Sequence, residues 1–200
     1  MAKVIVGPTE KAWIISKDLL CARIPFFAAA FEGGFKEGTD NELRLPEDDA
    51  EIFAHVVDWA HGQALKCRQL HTRDVVDGEH LLHWAKLFVL ADKLCIHDLA
   101  SRAAVQYESC LYGSGYLMGP DEIDYIYQNT VGYWPLRKLA VNAYVDALFS
   151  PGEIDLVGWT VITSHHWDFQ IDVVKGIKDR VLSQYALQFG NFGTQASASQ

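Results

Sequence analysis

The run KDLLCARIPFFAAAFEGGF, residues 17–35, constrains the fold more than any other stretch of the chain. Leu20, Ile24, Phe27 and Phe31 follow one another at spacings of 4, 3 and 4 residues. That spacing puts them on one face of a helix. Pro25 interrupts the pattern. Inside a helix a proline removes one N–H bond and crowds the preceding turn. At the first helical position its missing donor does no harm. The run therefore predicts two helical pieces, the second opening at Pro25 and ending at Gly33-Gly34, residues that tolerate a left-handed cap. It is too apolar for a surface helix. It reads as a core element, with part of an interface as a second reading.

The flanking segments extend this pattern. Val4-Ile5-Val6 and residues 12–15 are β-branched or apolar runs separated by Gly7-Pro8-Thr9-Glu10-Lys11, which predicts a β-hairpin. Ser16 is placed to cap the first helical piece. Residues 36–41 read as a polar loop. Glu42-Leu43-Arg44-Leu45 alternates polar and apolar, a short strand with both leucines inward. Asp48 stands three residues before Glu51, the spacing of a capping box. Ile52, Phe53, Val56, Val57 and Ala60 then form a helical stripe that Gly62 ends. Residues 63–78 are irregular, with a short strand expected near residues 66–70. Leu81, Leu82, Ala85, Phe88 and Val89 predict a helix over residues 79–94. Ile96, Leu99, Ala103, Ala104, Tyr107 and Leu111 predict its antiparallel partner across a tight break at residues 95–98.

Beyond Gly113-Ser114-Gly115 the strand signal vanishes. Short helices are expected over residues 121–128 and 153–162. A longer helix opens at Pro135, with Leu136, Leu139, Ala140, Ala143, Ala147 and Leu148 on its apolar face. The last helix spans residues 168–187, with Val174, Ile177, Val181 and Tyr185 aligned. The small, polar residues 190–200 read as a disordered tail.

Composition excludes several functions. Seventeen basic residues against 26 acidic ones give a net charge of −9, so neither nucleic acid nor an anionic membrane suits the surface. No window is apolar enough to span a bilayer, and the N-terminus lacks the apolar core of a signal peptide. An intracellular location, cytoplasmic or nuclear, is expected. The four cysteines, Cys21, Cys67, Cys95 and Cys110, form no short pairs and read as buried thiols of a reducing compartment.

The wording then becomes specific. A β-hairpin leads into KDLLCARIPFFAAAFEGGFKE. A strand ending in LPEDD follows, then EIFAHVVDWAHGQ and LFVLADKLCIHDLA. In this order the segments resemble a BTB/POZ domain of the kind abundant in filamentous fungi, over roughly residues 3–112. The resemblance implies an α+β fold, a three-stranded sheet with a helical cluster, followed by an all-helical extension. The expected organisation is a BTB/POZ-like domain over residues 1–112, a helical extension over 113–189 and a tail over 190–200. It implies a non-enzymatic protein–protein interaction module that forms homodimers or recruits a protein partner. Some family members are substrate adaptors of cullin-based ubiquitin ligases, which makes that the alternative function. The interface residues implied are Val4, Val6, Trp13, Leu20, Ile24, Phe27, Phe31, Glu47, Asp48 and Asp49.

The chain departs from the family pattern in four places. Ser16 stands where the family usually has a histidine, and the family's Ser-Asp segment is not expected ahead of the first strand; both positions fall near the family's dimer interface. Ile24 replaces a capping serine, a loss of about 1 kcal/mol unless burial of the larger side chain offsets it. Trp59-Ala60-His61 replaces Trp-Leu-Tyr, which removes core volume worth about 2–5 kcal/mol if nothing refills it. The loop over residues 63–79 lacks the apolar-x-Glu pattern through which animal adaptors grip a cullin.

Catalytic and metal signatures are weak beside this. There is no CxxC, HExxH, GxSxG, P-loop or GxGxxG. Cys67 with His71 and Cys95 with His97 are the nearest Cys/His groupings, short of the four ligands of a structural zinc site. Cys21 is the candidate nucleophile of a Cys/His-dependent enzyme, with Lys17 and Arg23 near it, but its apolar surroundings read as burial. Glu47, Asp48 and Asp49 read as a helix-capping cluster. No catalytic, metal or cofactor residue is therefore assigned. The aromatics of the second half, among them Tyr112, Tyr125, Tyr127, Tyr144 and Trp167, suit either a helical core or a partner surface.

Overall fold

The computed structural model describes residues 1–67, 78–115, 117–132, 134–150, 160–161, 164 and 166–189. The strand expected near residues 66–70, the helix over 153–162 and the tail over 190–200 lie wholly or largely outside these residues. The chain divides into two units, residues 1–116 and 117–200.

In the first unit β1 (Ala2–Val6) and β2 (Lys11–Ile15) form the expected hairpin, in the register Ala2 opposite Ile15 through Val6 opposite Lys11. β3 (Glu42–Leu45) returns on the other side of β1 and runs parallel to it, pairing Lys3 with Glu42 and Val6 with Leu45. The sheet is thus mixed, in the order β2-β1-β3. As the central strand, β1 buries Val4, Ile5 and Val6 in succession rather than every second residue. Leu43 and Leu45 point inward as their alternation predicts.

The split run behaves as its proline dictates. α1 (Lys17–Arg23) starts at Ser16, whose hydroxyl accepts the Leu19 N–H at 3.3 Å. α2 (Pro25–Glu32) starts with proline at its first position and is capped by Gly33. Leu20, Ile24, Phe27 and Phe31 are all buried across the break. Phe27 lies at the centre of this core. Its ring stacks on Phe31 at 5.9 Å and meets Phe53 edge-on at 6.3 Å, while Trp13 meets Phe53 at 5.1 Å. Ile24 makes no side-chain cap bond but is fully buried, so packing takes the place of the missing hydroxyl.

Two local expectations are corrected. The expected polar loop over residues 36–41 contains a short helix, α3 (Lys36–Asp40), closed by Asn41 in the left-handed region at φ 51°. The cap of α4 (Ala50–Ala60) is Asp49, not Asp48. Its carboxylate accepts the N–H groups of Glu51 at 2.8 Å and Ile52 at 3.4 Å. Those bonds and the nearby Lys86 ammonium hold the Asp49 carboxyl below the usual range, against the opposing effect of its partial burial. Asp48 turns instead to Lys93, at 2.7 Å.

α5 (Gly78–Lys93) and α6 (His97–Ser114) form the expected antiparallel pair. Their junction is tight because Cys95 adopts φ 59°. The Ile96 N–H then reaches the Ala91 carbonyl and the Cys95 N–H reaches Asp92, the bond pair of a Schellman cap.

The second unit contains α7 (Pro120–Asn129), α8 (Pro135–Phe149) and α9 (Trp167–Phe189). Leu136, Ala140 and Ala143 of α8 are buried, and so are Tyr144 and Val145. The expected face of α9 is corrected. Val174, Val181 and Tyr185 are exposed, while Phe169 and Val173 are buried. Gly176 belongs to the contact with α8: a methyl group there would lie 2.7 Å from Val141 Cγ1. Arg137 is buried with its guanidinium hydrogen-bonded. It donates to the carbonyls of Tyr127 and Thr130 and to the Thr130 hydroxyl, and its guanidinium stacks on Tyr127 at 4.2 Å. An arginine of α8 thereby closes the carbonyl end of α7. Among the described residues, no helix is long and apolar enough to cross a membrane.

Candidate functional site

A cleft of about 700 Å³ opens in the first unit between α4, the segment that follows it and the start of α5. α4 contributes His55, Asp58 and Trp59, the next segment contributes Gln63 to Cys67, and α5 contributes Glu79, His80, His83 and Trp84. On α5, His80, His83 and Trp84 stand three and four residues apart, so one helix face carries all three. Three histidines and two tryptophans in one cleft are an unusual concentration of titratable and aromatic groups.

His55 and His83 form a direct pair, Nε2 to Nε2 at 2.8 Å, with their rings edge to face. One ring donates and the other accepts, which requires that at least one be neutral. Burial holds His83 down at about 4, and the neighbouring His55 and His80 add to the effect. Burial also lowers His55, partly opposed by the Asp58 carboxylate.

Deeper in the same region, His80 Nε2 lies 3.4 Å from the Cys67 sulfur and 3.4 Å from Trp84 Nε1. The Cys110 sulfur, fully buried on α6, completes a group of three ligand-type atoms lying within 4.8 Å of one another. Gln106 Nε2 donates to that sulfur at 3.6 Å. Burial pushes the Cys110 thiol up to about 11, although N–H groups of Gln106 and Trp84 directed at it work in the opposite sense. By residue type this trio can hold a metal ion. Sequence spacing missed it because its members come from three separate elements and converge only when α5 and α6 pack. The Cys67–His71 grouping falls partly outside the described residues. Cys95 is exposed on its turn.

The residues expected at an interface divide into two sets. Val4, Val6, Leu20, Ile24, Phe27 and Phe31 are buried within the unit, so as side chains they form its core rather than its surface. Trp13 is half-buried, with Lys11 over its ring at 5.0 Å. Glu47 and Asp49 are exposed, while Asp48 is largely covered by its ion pair. Exposed apolar groups nearby are Ile14 of β2 and Phe35 after α2, neither of which the sequence singled out.

Cys21 shows no sign of activation. Its thiol lies 3.8 Å from the Phe27 carbonyl, and burial with the Glu32 carboxylate raises its pKa from the ordinary value. Of the aromatics weighed as partner contacts, Tyr127 and Tyr144 are core, whereas Tyr112 and Trp167 are exposed. The Tyr127 hydroxyl donates to Asp172 at 3.2 Å. Compared with known proteins, the sequence matches no family model and no curated protein.

Proposed function

We propose that the chain is a BTB/POZ-type protein–protein interaction module, non-enzymatic, that associates with itself or recruits a protein partner. The observation that carries this reading is the order and pairing of the elements in the first unit. A hairpin is followed by a helix split at Pro25, a third strand laid parallel beside the first, a capped helix and an antiparallel helical pair. The quoted segments of the resemblance fall on those elements in the same order. The exposed Ile14 on an edge strand and the exposed Phe35 give the module apolar surface for a partner.

Light scattering on the full chain across a wide concentration range tests self-association. A mass that rises toward twice the chain mass supports it, and Ile14→Asp should then lower the association constant. A strictly monomeric chain at the highest concentration overturns that part of the proposal.

A further inference from the structure

We propose that Cys67, His80 and Cys110 form a binding site for a zinc-type ion, with two thiolates and one imidazole as ligands and the fourth position open to the cleft.

The geometry fits that ion. A tetrahedral zinc with sulfur ligands at about 2.3 Å and nitrogen at about 2.0–2.1 Å holds its ligand atoms roughly 3.5–3.8 Å apart. Here all three atoms lie within 4.8 Å of one another, and Cys67 Sγ to His80 Nε2 is already 3.4 Å. Small side-chain adjustments close the difference. The donor set of two sulfurs and one nitrogen selects a borderline-soft ion over magnesium or calcium, which take oxygen ligands.

The surroundings fit as well. Gln106 directs an N–H at the Cys110 sulfur at 3.6 Å, and the Trp84 indole N–H, which lies 3.4 Å from His80 Nε2, has to turn from that nitrogen when the imidazole ligates the ion. N–H donors on a sulfur stabilise the thiolate that a metal requires. Cys67 and His80 line the cleft, whereas Cys110 lies beneath it, fully buried. Three ligands thus reach the ion from the floor and wall, and water enters from the cleft to complete the tetrahedron. Binding exchanges two S–H protons for the metal, and those protons pass to the buffer. No oxidant or reductant takes part. The ion would tie α5 and α6 to the segment that follows α4.

Cobalt titration of the reduced, metal-stripped full chain tests the site, since cobalt reports thiolate ligation and tetrahedral geometry in its visible and near-ultraviolet absorption. The expected result is a saturable tetrahedral, sulfur-ligated spectrum at one cobalt per chain, displaced by zinc, with zinc also shielding Cys67 from alkylation. Cys67→Ser and His80→Gln should each weaken binding at least tenfold while far-ultraviolet circular dichroism stays unchanged. Cys67 is only partly buried, so its variant tests the site even if Cys110→Ser fails to fold. The proposal is overturned if the reduced chain gives no sulfur-ligated cobalt spectrum, or if folded Cys67→Ser and His80→Gln bind cobalt as the parent does.

Discussion

Mild acid should destabilise the first unit through the histidine pair of the cleft. His83 titrates at about 4 in the folded chain against an ordinary 6.5. Between those values the unfolded chain holds a proton that the folded one does not. Stability is therefore fully present above pH 6.5 and is lost as pH falls toward 4. At pH 5 the difference amounts to about 2 kcal/mol. His83 is only partly buried, and screening by water brings this to about 1 kcal/mol. His55 shifts in the same direction and adds to the loss. Asp49 acts the other way on His83, but it ranks behind burial and both histidines.

The perturbation is His83→Gln, which can still hydrogen-bond to His55 but cannot take up a proton. The assay is hydrogen exchange followed by mass spectrometry over peptides of α4 and α5, at pH 7 and pH 5, with a chelator present and intrinsic rates normalised. The parent should lose protection at pH 5 by about fivefold, the equivalent of 1 kcal/mol. The variant should lose clearly less. Equal losses in the two proteins would refute the assignment of the pH dependence to His83.

Phe27→Ala should destabilise the first unit by about 3–5 kcal/mol, read as a lower urea midpoint, because the ring is fully enclosed by Phe31, Phe53 and the adjoining core. Gly176→Ala should lower the thermal midpoint of the second unit even though alanine favours helix by about 1 kcal/mol. The new methyl would meet Val141 Cγ1 at 2.7 Å and Val145 Cγ2 at 3.0 Å, and branched valines yield poorly at χ1. A more stable variant would show that helix propensity outweighs this contact. Cys95→Gly should raise stability by about 0.5–1 kcal/mol in urea unfolding, because it relieves a left-handed backbone at an exposed residue; a loss would mean that the thiol itself packs usefully.

Much of the first unit was legible because its elements carry strong local signals. The spacing of Leu20, Ile24, Phe27 and Phe31 survives the break at Pro25, since a proline at a first helical position leaves the apolar face intact. α3 was missed because Lys36-Glu37-Gly38-Thr39-Asp40 has no apolar face to announce a helix. Asp48 and Asp49 both suit an N-cap, and only the position of Lys93 in the fold separates their roles. On α9 the apolar residues outnumber the buried positions. A count of hydrophobic spacing favoured Val174, Val181 and Tyr185, while the contact with α8 uses Gly176, which such a count cannot see. The cleft was the least legible feature. His55 pairs with His83, and Cys67 meets His80 and Cys110, across turns and helices whose packing no local pattern encodes.

The position of β1 has a consequence for how the sheet assembles. β1, residues 2–6, becomes the central strand, yet only one of its neighbours, β2, is close in sequence. The hairpin can close early, because its loop is short. The other edge of β1 stays unpaired until Leu45 has been made and the parallel strand can dock, a pairing that must first close a far longer loop. Until then a nearly continuous apolar strand presents an open edge, the kind of surface that invites pairing with another chain. Loss of residues 1–6 would leave β2 and β3 with no strand between them. A lesion in 6 of the 200 residues would thus unmake the whole sheet.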